Sequence, residues 1–266
     1  MLFELLKKVS QVLPARAQNW LRVKSYMWQI KRGRFAHDEP EFAVLGQWVQ
    51  AGDVAMDIGA NVGRYTVKLA ELVGPEGHVF SIEPYLKTFR TLSRVVLCCP
   101  HRNVTLINGA ASDTSGFLWL QVPRDAKGRE NMYEAHVTKE ANGLRVFSFP
   151  VDALGIPGKV TFCKVDVEGH ELEVLRGMQN MLRVHRPTLV VEGSNSDVAA
   201  FLRSLGYQGA NYSGSPNTIF LPVEGKAFKD SIVGGCATKC GCTAALPVKP
   251  GKTELQCRAI APFELV

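Results

Sequence analysis

The sequence predicts an α/β domain whose mainly parallel sheet is covered by helices on both faces. Three observations point there. Short continuous apolar runs alternate with amphipathic stretches of helix length, a glycine turn follows the first run, and polar residues collect at the runs' carboxyl ends. Strands that are apolar throughout are buried on both faces, as in a parallel sheet wrapped by crossover helices. Ligands of such sheets bind outside the carboxyl ends of the strands.

The first strand is expected at residues 54–58, followed by the turn Gly59–Gly63. A helix follows with Val67, Ala70 and Val73 on one face, closed by Gly74-Pro75-Glu76-Gly77. Residues 79–82 form the next strand, 86–98 a helix and 104–107 a third strand. A hairpin-like insertion then carries strands at 117–120 and 144–149. Residues 160–165 return to the sheet, and a helix over about 169–184 places Leu172, Leu175, Met178 and Leu182 at near-helical spacing. A strand at 188–191 and a helix at 196–205 precede a closing antiparallel pair, 207–212 with 217–221.

Composition divides the 266 residues into a basic, helix-prone N-terminal extension (1–40), the α/β domain (41–222) and a Cys-, Gly- and Pro-containing tail (223–266) expected to be poorly ordered. Of the net charge of +6, residues 1–40 supply +5, from eight basic residues against Glu4, Asp38 and Glu39. The near-neutral remainder argues against a nucleic-acid partner. No apolar run approaches the roughly 18 residues of a spanning helix. Glu4, Lys7 and Lys8 interrupt the apolar N-terminus, so no secretory signal is read and a cytoplasmic location is expected. Of seven cysteines, Cys98, Cys99 and Cys163 lie in apolar segments. Cys236, Cys240, Cys242 and Cys257 fall in the tail at spacings that match no metal pattern. A core this large needs no disulfides, which suits a reducing compartment.

Chemistry concentrates at four places. In Asp57-Ile58-Gly59-Ala60-Asn61-Val62-Gly63, a glycine turn lets backbone amides approach a ligand. Asn61 stands where a dinucleotide site needs its second glycine, and Asp57 would repel pyrophosphate but suit a cationic amine. Glu83, twenty residues beyond Gly63, ends the second strand where ribose hydroxyls are held in these folds. After the third strand, Asn108-Gly109-Ala110-Ala111-Ser112-Asp113 offers small residues against which a flat base could lie. In Lys164-Val165-Asp166-Val167-Glu168-Gly169-His170-Glu171, ionisable groups crowd a strand–helix junction. Glu171 and Glu173 need no more than the positive end of a helix to explain them, whereas Asp166 ends a buried strand at the ligand cleft. Asp166 and Glu192 end adjacent strands and could bind a divalent cation, but two carboxylates without a third ligand are a common coincidence, and no metal is assigned.

These runs, with Ile82-Glu83-Pro84 and Val151-Asp152-Ala153-Leu154, make the sequence resemble the FkbM family of S-adenosylmethionine-dependent methyltransferases over about residues 50–222. The resemblance implies a class I Rossmann-like methyltransferase fold, a seven-stranded sheet with one reversed strand. It also implies O-methylation of a hydroxyl on a glycan or secondary metabolite. By position it implies that Asp57 and Gly59, in the turn with Asn61 and Gly63, line the methionine end of S-adenosyl-L-methionine. Glu83 would hold the ribose, Ala111 and Ser112 would flank the adenine, and Asp166 would face the methyl. Two other classes stay open: a nucleic-acid methyltransferase using residues 1–40 as a basic arm, and a binding module that keeps the fold without catalysis. The absence of an Asn/Asp-Pro-Pro-aromatic run disfavours methylation of base amines.

Two residues are candidates for the base that takes the acceptor's proton. Asp166 has the better position, and His170 departs from the small residue the family would place there. A histidine in a first helical turn is kept neutral by the helix dipole, so its chemistry suits a base. In residues 1–40, Leu2, Phe3, Leu5, Leu6, Val9, Trp20 and Trp28 mix with the positive charge. The mixture predicts peripheral contact with an anionic membrane at its inner face, or a helix hairpin packed on the domain.

Overall fold

A computed structural model describes residues 15–126, 128, 130–223 and 263–265. Its main sheet has eight strands. Five run parallel, in the order β3 (Val104–Ile107), β2 (His78–Ile82), β1 (Val54–Ile58), β8 (Val160–Val165) and β9 (Thr188–Glu192). Then come β11 (Asn217–Pro222), antiparallel to both neighbours, and β10 (Tyr207–Tyr212). These seven strands with β11 reversed are the class I methyltransferase sheet. An eighth, β12 (Phe263–Leu265), pairs antiparallel with β10. Residues 224–262, with the four tail cysteines, lie outside the described residues.

The insertion after β3 forms a second sheet of four strands, in the order β4 (Ala110–Ala111), β7 (Leu144–Phe149), β5 (Gly116–Gln121) and β6 (His136–Thr138). The antiparallel β5–β7 pairing is the expected hairpin, and the antiparallel β10–β11 pair is the expected closure.

Side chains of successive strand residues point to opposite faces, and each face has its own core. Met56, Ile58, Cys163, Val165, Leu189 and Val191 pack under α5 (Glu171–Arg176), α6 (Gln179–His185) and α7 (Ser196–Ser204) through Val174, Leu175, Leu182 and Leu202. On the other face Ala55, Phe162 and Val190 meet α3 (Arg64–Val73) through Tyr65, Leu69 and Val73. The same alternation turns Asp57 and Lys164, a paired position of β1 and β8, toward α3. The direction of these two charges thus follows from strand period.

The helix expected over 169–184 is broken at Gly177. A Cβ there would lie 1.8 Å from the backbone oxygen of Ser112, so the chain passes too close for any side chain. The break is held by Asp152, whose amide donates to Gly177 O and whose carboxylate accepts from the amides of Asn180 and Met181, each at 2.9 Å.

Segments on both sides of residue 40 pack on the domain. α1 (Ala15–Lys31) docks Val23, Tyr26 and Ile30, with Phe35 beyond it; Tyr26, Ile30 and Phe35 pack with Val62 and Val95 of the domain. The short α2 (Pro40–Ala43) buries Glu41 and Phe42. Among the described residues no helix is long and apolar enough to cross a membrane.

Candidate active site

The turn after β1 is built from left-handed backbone: Gly59 at φ +83°, Asn61 at +48° and Gly63 at +91°. Gly59 and Ala60 both donate to Ile82 O, at 2.9 and 3.0 Å, which ties the turn to β2. On its other side Asp166 N donates to Ile58 O at 2.9 Å. The Asp166 carbonyl then sits 1.6 Å from where a Cβ on Gly59 would be. Gly63 instead abuts Leu92 of α4 (Leu86–Val96) and begins α3, so it shapes the turn from behind.

Glu83 is 6% exposed, and its carboxylate accepts from the amides of Asn61 (2.9 Å) and Tyr85 (2.8 Å). Burial nevertheless pushes its pKa up to about 7, against the pull of those donors. Asp57 accepts from the Thr66 hydroxyl at 2.5 Å. Burial raises it to about 6, opposed by the Thr66 bond and by Lys164. The side-chain oxygen of Asn61 is buried with no hydrogen bond among the described residues. An unpartnered buried acceptor beside two carboxylates marks the turn as a place for a donor-rich, cationic ligand.

Asp166 and Glu192 end β8 and β9, and the buried ammonium of Lys164 lies beneath them, 3.3 Å from Asp166 Oδ2 and 3.7 Å from Glu192 Oε2. Lys164 also donates to Asn217 Oδ1 at 2.8 Å and sits over the Tyr65 ring. Burial alone would lower its pKa, but Asp166, Glu39 and Glu192 outweigh that and raise it. Glu192 is pushed up to about 8 by burial and then by the neighbouring Asp166 carboxylate. Behind Lys164, Asn217 Nδ2 and Ser215 Oγ both donate to Glu41 Oε1, while Tyr65 donates to Glu39 at 2.5 Å. Lys164, Tyr65, Glu39 and Glu41 were given no role from sequence. A lysine inside an otherwise apolar strand was the available signal, because such a charge must find partners.

His170 shares a hydrogen bond of 2.9 Å between its Nε2 and Ser112 Oγ. Its pKa is lowered, in the expected direction, but the main cause is burial rather than a dipole: His170 is only the N-cap of a six-residue helix. Asp57, Gly59, Asn61, Glu83, Ala111, Asp166 and His170 line one cavity of about 230 Å³, so most of the expected residues come together. Ser112 is reached from it through His170. The opposite walls carry Arg64 and His37, near the N-terminal segment, and Tyr133 and Val137 from the insertion. Tyr26 and Tyr133 approach across the rim, with 3.4 Å between their hydroxyls.

Residues 57–208, more than half of the chain, match the family described as the Methyltransferase FkbM domain. Among curated proteins the chain is similar to hexuronic acid methyltransferase AglP of Haloferax volcanii, 29% identical over 160 residues, which are 59% of this chain and 62% of the relative. The match thus spans about three fifths of that relative's length. A solved FkbM methyltransferase from Methylobacillus flagellatus KT aligns with a TM-score of 0.47 and 18% identity, covering 64% of this chain and 43% of that one. Aeropyrum pernix fibrillarin, solved with natively bound S-adenosyl-L-methionine, aligns with a TM-score of 0.43 and 14% identity over 67% of this chain and 74% of its own. By the extent of its family match, the chain belongs to the FkbM family of S-adenosylmethionine-dependent methyltransferases.

Proposed function

We propose that this protein transfers a methyl group from S-adenosylmethionine to a hydroxyl oxygen of a glycan or related metabolite. The observation that carries the reading is the Asp166 carboxylate, part-exposed at the tip of β8, against the glycine turn and over a buried lysine. The residues present fit the cofactor: buried Asp57 and the unpartnered oxygen of Asn61 suit its cationic amino acid end. Glu83 keeps acceptor capacity for ribose hydroxyls, and the small side chains of Ala110 and Ala111 leave room for the adenine, with Ser112 behind them. Bound there, S-adenosylmethionine supplies an electrophilic methyl on a sulfonium that leaves readily.

What remains for the chain is alignment and removal of the hydroxyl proton. Asp166 Oδ takes that proton, and Lys164 beneath it steadies the carboxylate. His170 acts through Ser112 on the adenine side, as a positioning residue. The glycan assignment is supported by the similarity to AglP, which is named for a hexuronic acid. Incubation with radiolabelled S-adenosylmethionine and a panel of neutral and hexuronate-containing oligosaccharides tests it. The expected product is a base-stable methyl ether. A base-labile methyl ester would move the acceptor atom to a carboxylate, and no labelled sugar at all would remove the glycan reading.

For the cofactor, Glu83→Ala is expected to weaken binding by one to two orders of magnitude, from roughly 1.5–3 kcal/mol of charge-assisted hydrogen bonding. Because the carboxyl pKa is raised to about 7, wild-type affinity should fall as pH is lowered through that value and the acceptor gains a proton. Calorimetry should show the step near pH 7 in the wild type and not in Glu83→Ala, while the fall near pH 6 from Asp57, raised to about that value, should persist in the variant. Unchanged affinity in the variant would take Glu83 out of the site.

A further inference from the structure

Among the described residues, α1 is docked by one side and exposed on the other. Val23, Tyr26 and Ile30 face the domain, whereas Trp20, Leu21 and Trp28 are 57%, 40% and 50% exposed. At about 100° per residue, Trp20, Leu21, Lys24, Trp28 and Lys31 fall within roughly a third of the helix circumference, opposite the buried set. Arg32 follows at the helix end. Lys24 lies 5.7 Å from the Trp20 ring and the Arg32 guanidinium 5.0 Å from the Trp28 ring, so the face repeats an indole-and-cation pair about two turns along. Between Glu4 and Asp38 the sequence holds eight basic residues and no acidic one.

We propose that this outward face of α1 docks the enzyme on an anionic lipid surface. Indoles settle at the boundary between headgroups and acyl chains, and lysine and arginine beside them meet the lipid phosphates. Indoles also stack on nucleobases, but the exposed leucine beside them and the near-neutral remainder of the chain favour lipid over nucleic acid. The docked side of the same helix reaches the cleft: Tyr26 meets Tyr133 at the rim, and Arg64 stacks on Tyr26. Docking therefore sets the lipid surface beside the methyl-transfer cleft, where an acceptor carried on a lipid would present its sugar. The docking stands apart from the acceptor assignment, since it concerns residues outside the cleft.

Vesicle sedimentation of the full chain tests it, with phosphatidylglycerol–phosphatidylcholine mixtures against pure phosphatidylcholine and with an RNA competitor. The expected result is recovery with the anionic vesicles only, accompanied by a blue shift of tryptophan emission and undiminished by RNA. Trp20→Ser with Trp28→Ser, and separately Lys24→Glu with Arg32→Glu, should each lower the partition coefficient about ten-fold or more. Both pairs are solvent-exposed, so S-adenosylmethionine affinity should stay at the wild-type value and report intact folding. Equal recovery from neutral and anionic vesicles, no recovery from either, release by RNA, or wild-type partitioning of both double variants would overturn the proposal.

Discussion

Asp166→Asn is expected to lower the single-turnover rate of methyl transfer about 100-fold, within the usual span for loss of a general base. The substitution is nearly isosteric. Its side-chain oxygen can still accept from Lys164, and the backbone bond from residue 166 to Ile58 O is untouched. Cofactor affinity should therefore stay near wild type, which separates lost proton transfer from a collapsed site. His170→Ala should cost little, because its Nε2 is already engaged by Ser112. Rapid-quench measurement of both variants decides the matter. Full turnover in Asp166→Asn with none in His170→Ala would reverse the two roles.

Gly59→Ala should abolish cofactor binding and destabilise the fold by about 3 kcal/mol or more, from a side chain forced to positive φ added to overpacking. The clash is with a backbone carbonyl, that of Asp166, at 1.6 Å, and no rotamer change can relieve it. Either the turn shifts away from Ile82 O, or the tip of β8 moves and takes the Asp166 carboxylate with it. Gly52→Ala is the control. Gly52 is also at positive φ, but nothing lies within 4 Å of its added Cβ, so it should lose only the backbone strain. Thermal denaturation and calorimetry of the pair would show whether close approach, rather than φ alone, sets the cost. Equal losses in the two variants would remove the close-approach argument.

The parts legible in the sequence were those written in local pattern. β1, β8 and β9 announce themselves as unbroken apolar runs, and the turn 59–63 and Glu83 follow from the strand ends they occupy. What escaped depends on residues far apart in the chain. Gly177 breaks a helix because Ser112, which meets it only in three dimensions, leaves no room for a side chain. Lys164 reads as an anomaly until Asn217, 53 positions later, and Glu41, 176 positions before Asn217, are placed beside it. β12 pairs with β10 across a stretch of sequence without periodicity, and no local signal marks it.

The wiring beneath Asp166 bears on how this protein can be cut. The segment that carries the family's signature, 57–208, would be the natural choice for a minimal fragment. It excludes Glu39, Glu41 and Asn217, which feed the buried ammonium of Lys164 from both ends of the chain. Such a fragment keeps every motif and leaves Lys164 its carboxylates Asp166 and Glu192, yet it removes Asn217 and Glu39 from around a buried charge, where a lost partner costs several kcal/mol. A working fragment is thus expected to be wider than the stretch by which the family is recognised, and to include Glu39 at one end and β11 at the other.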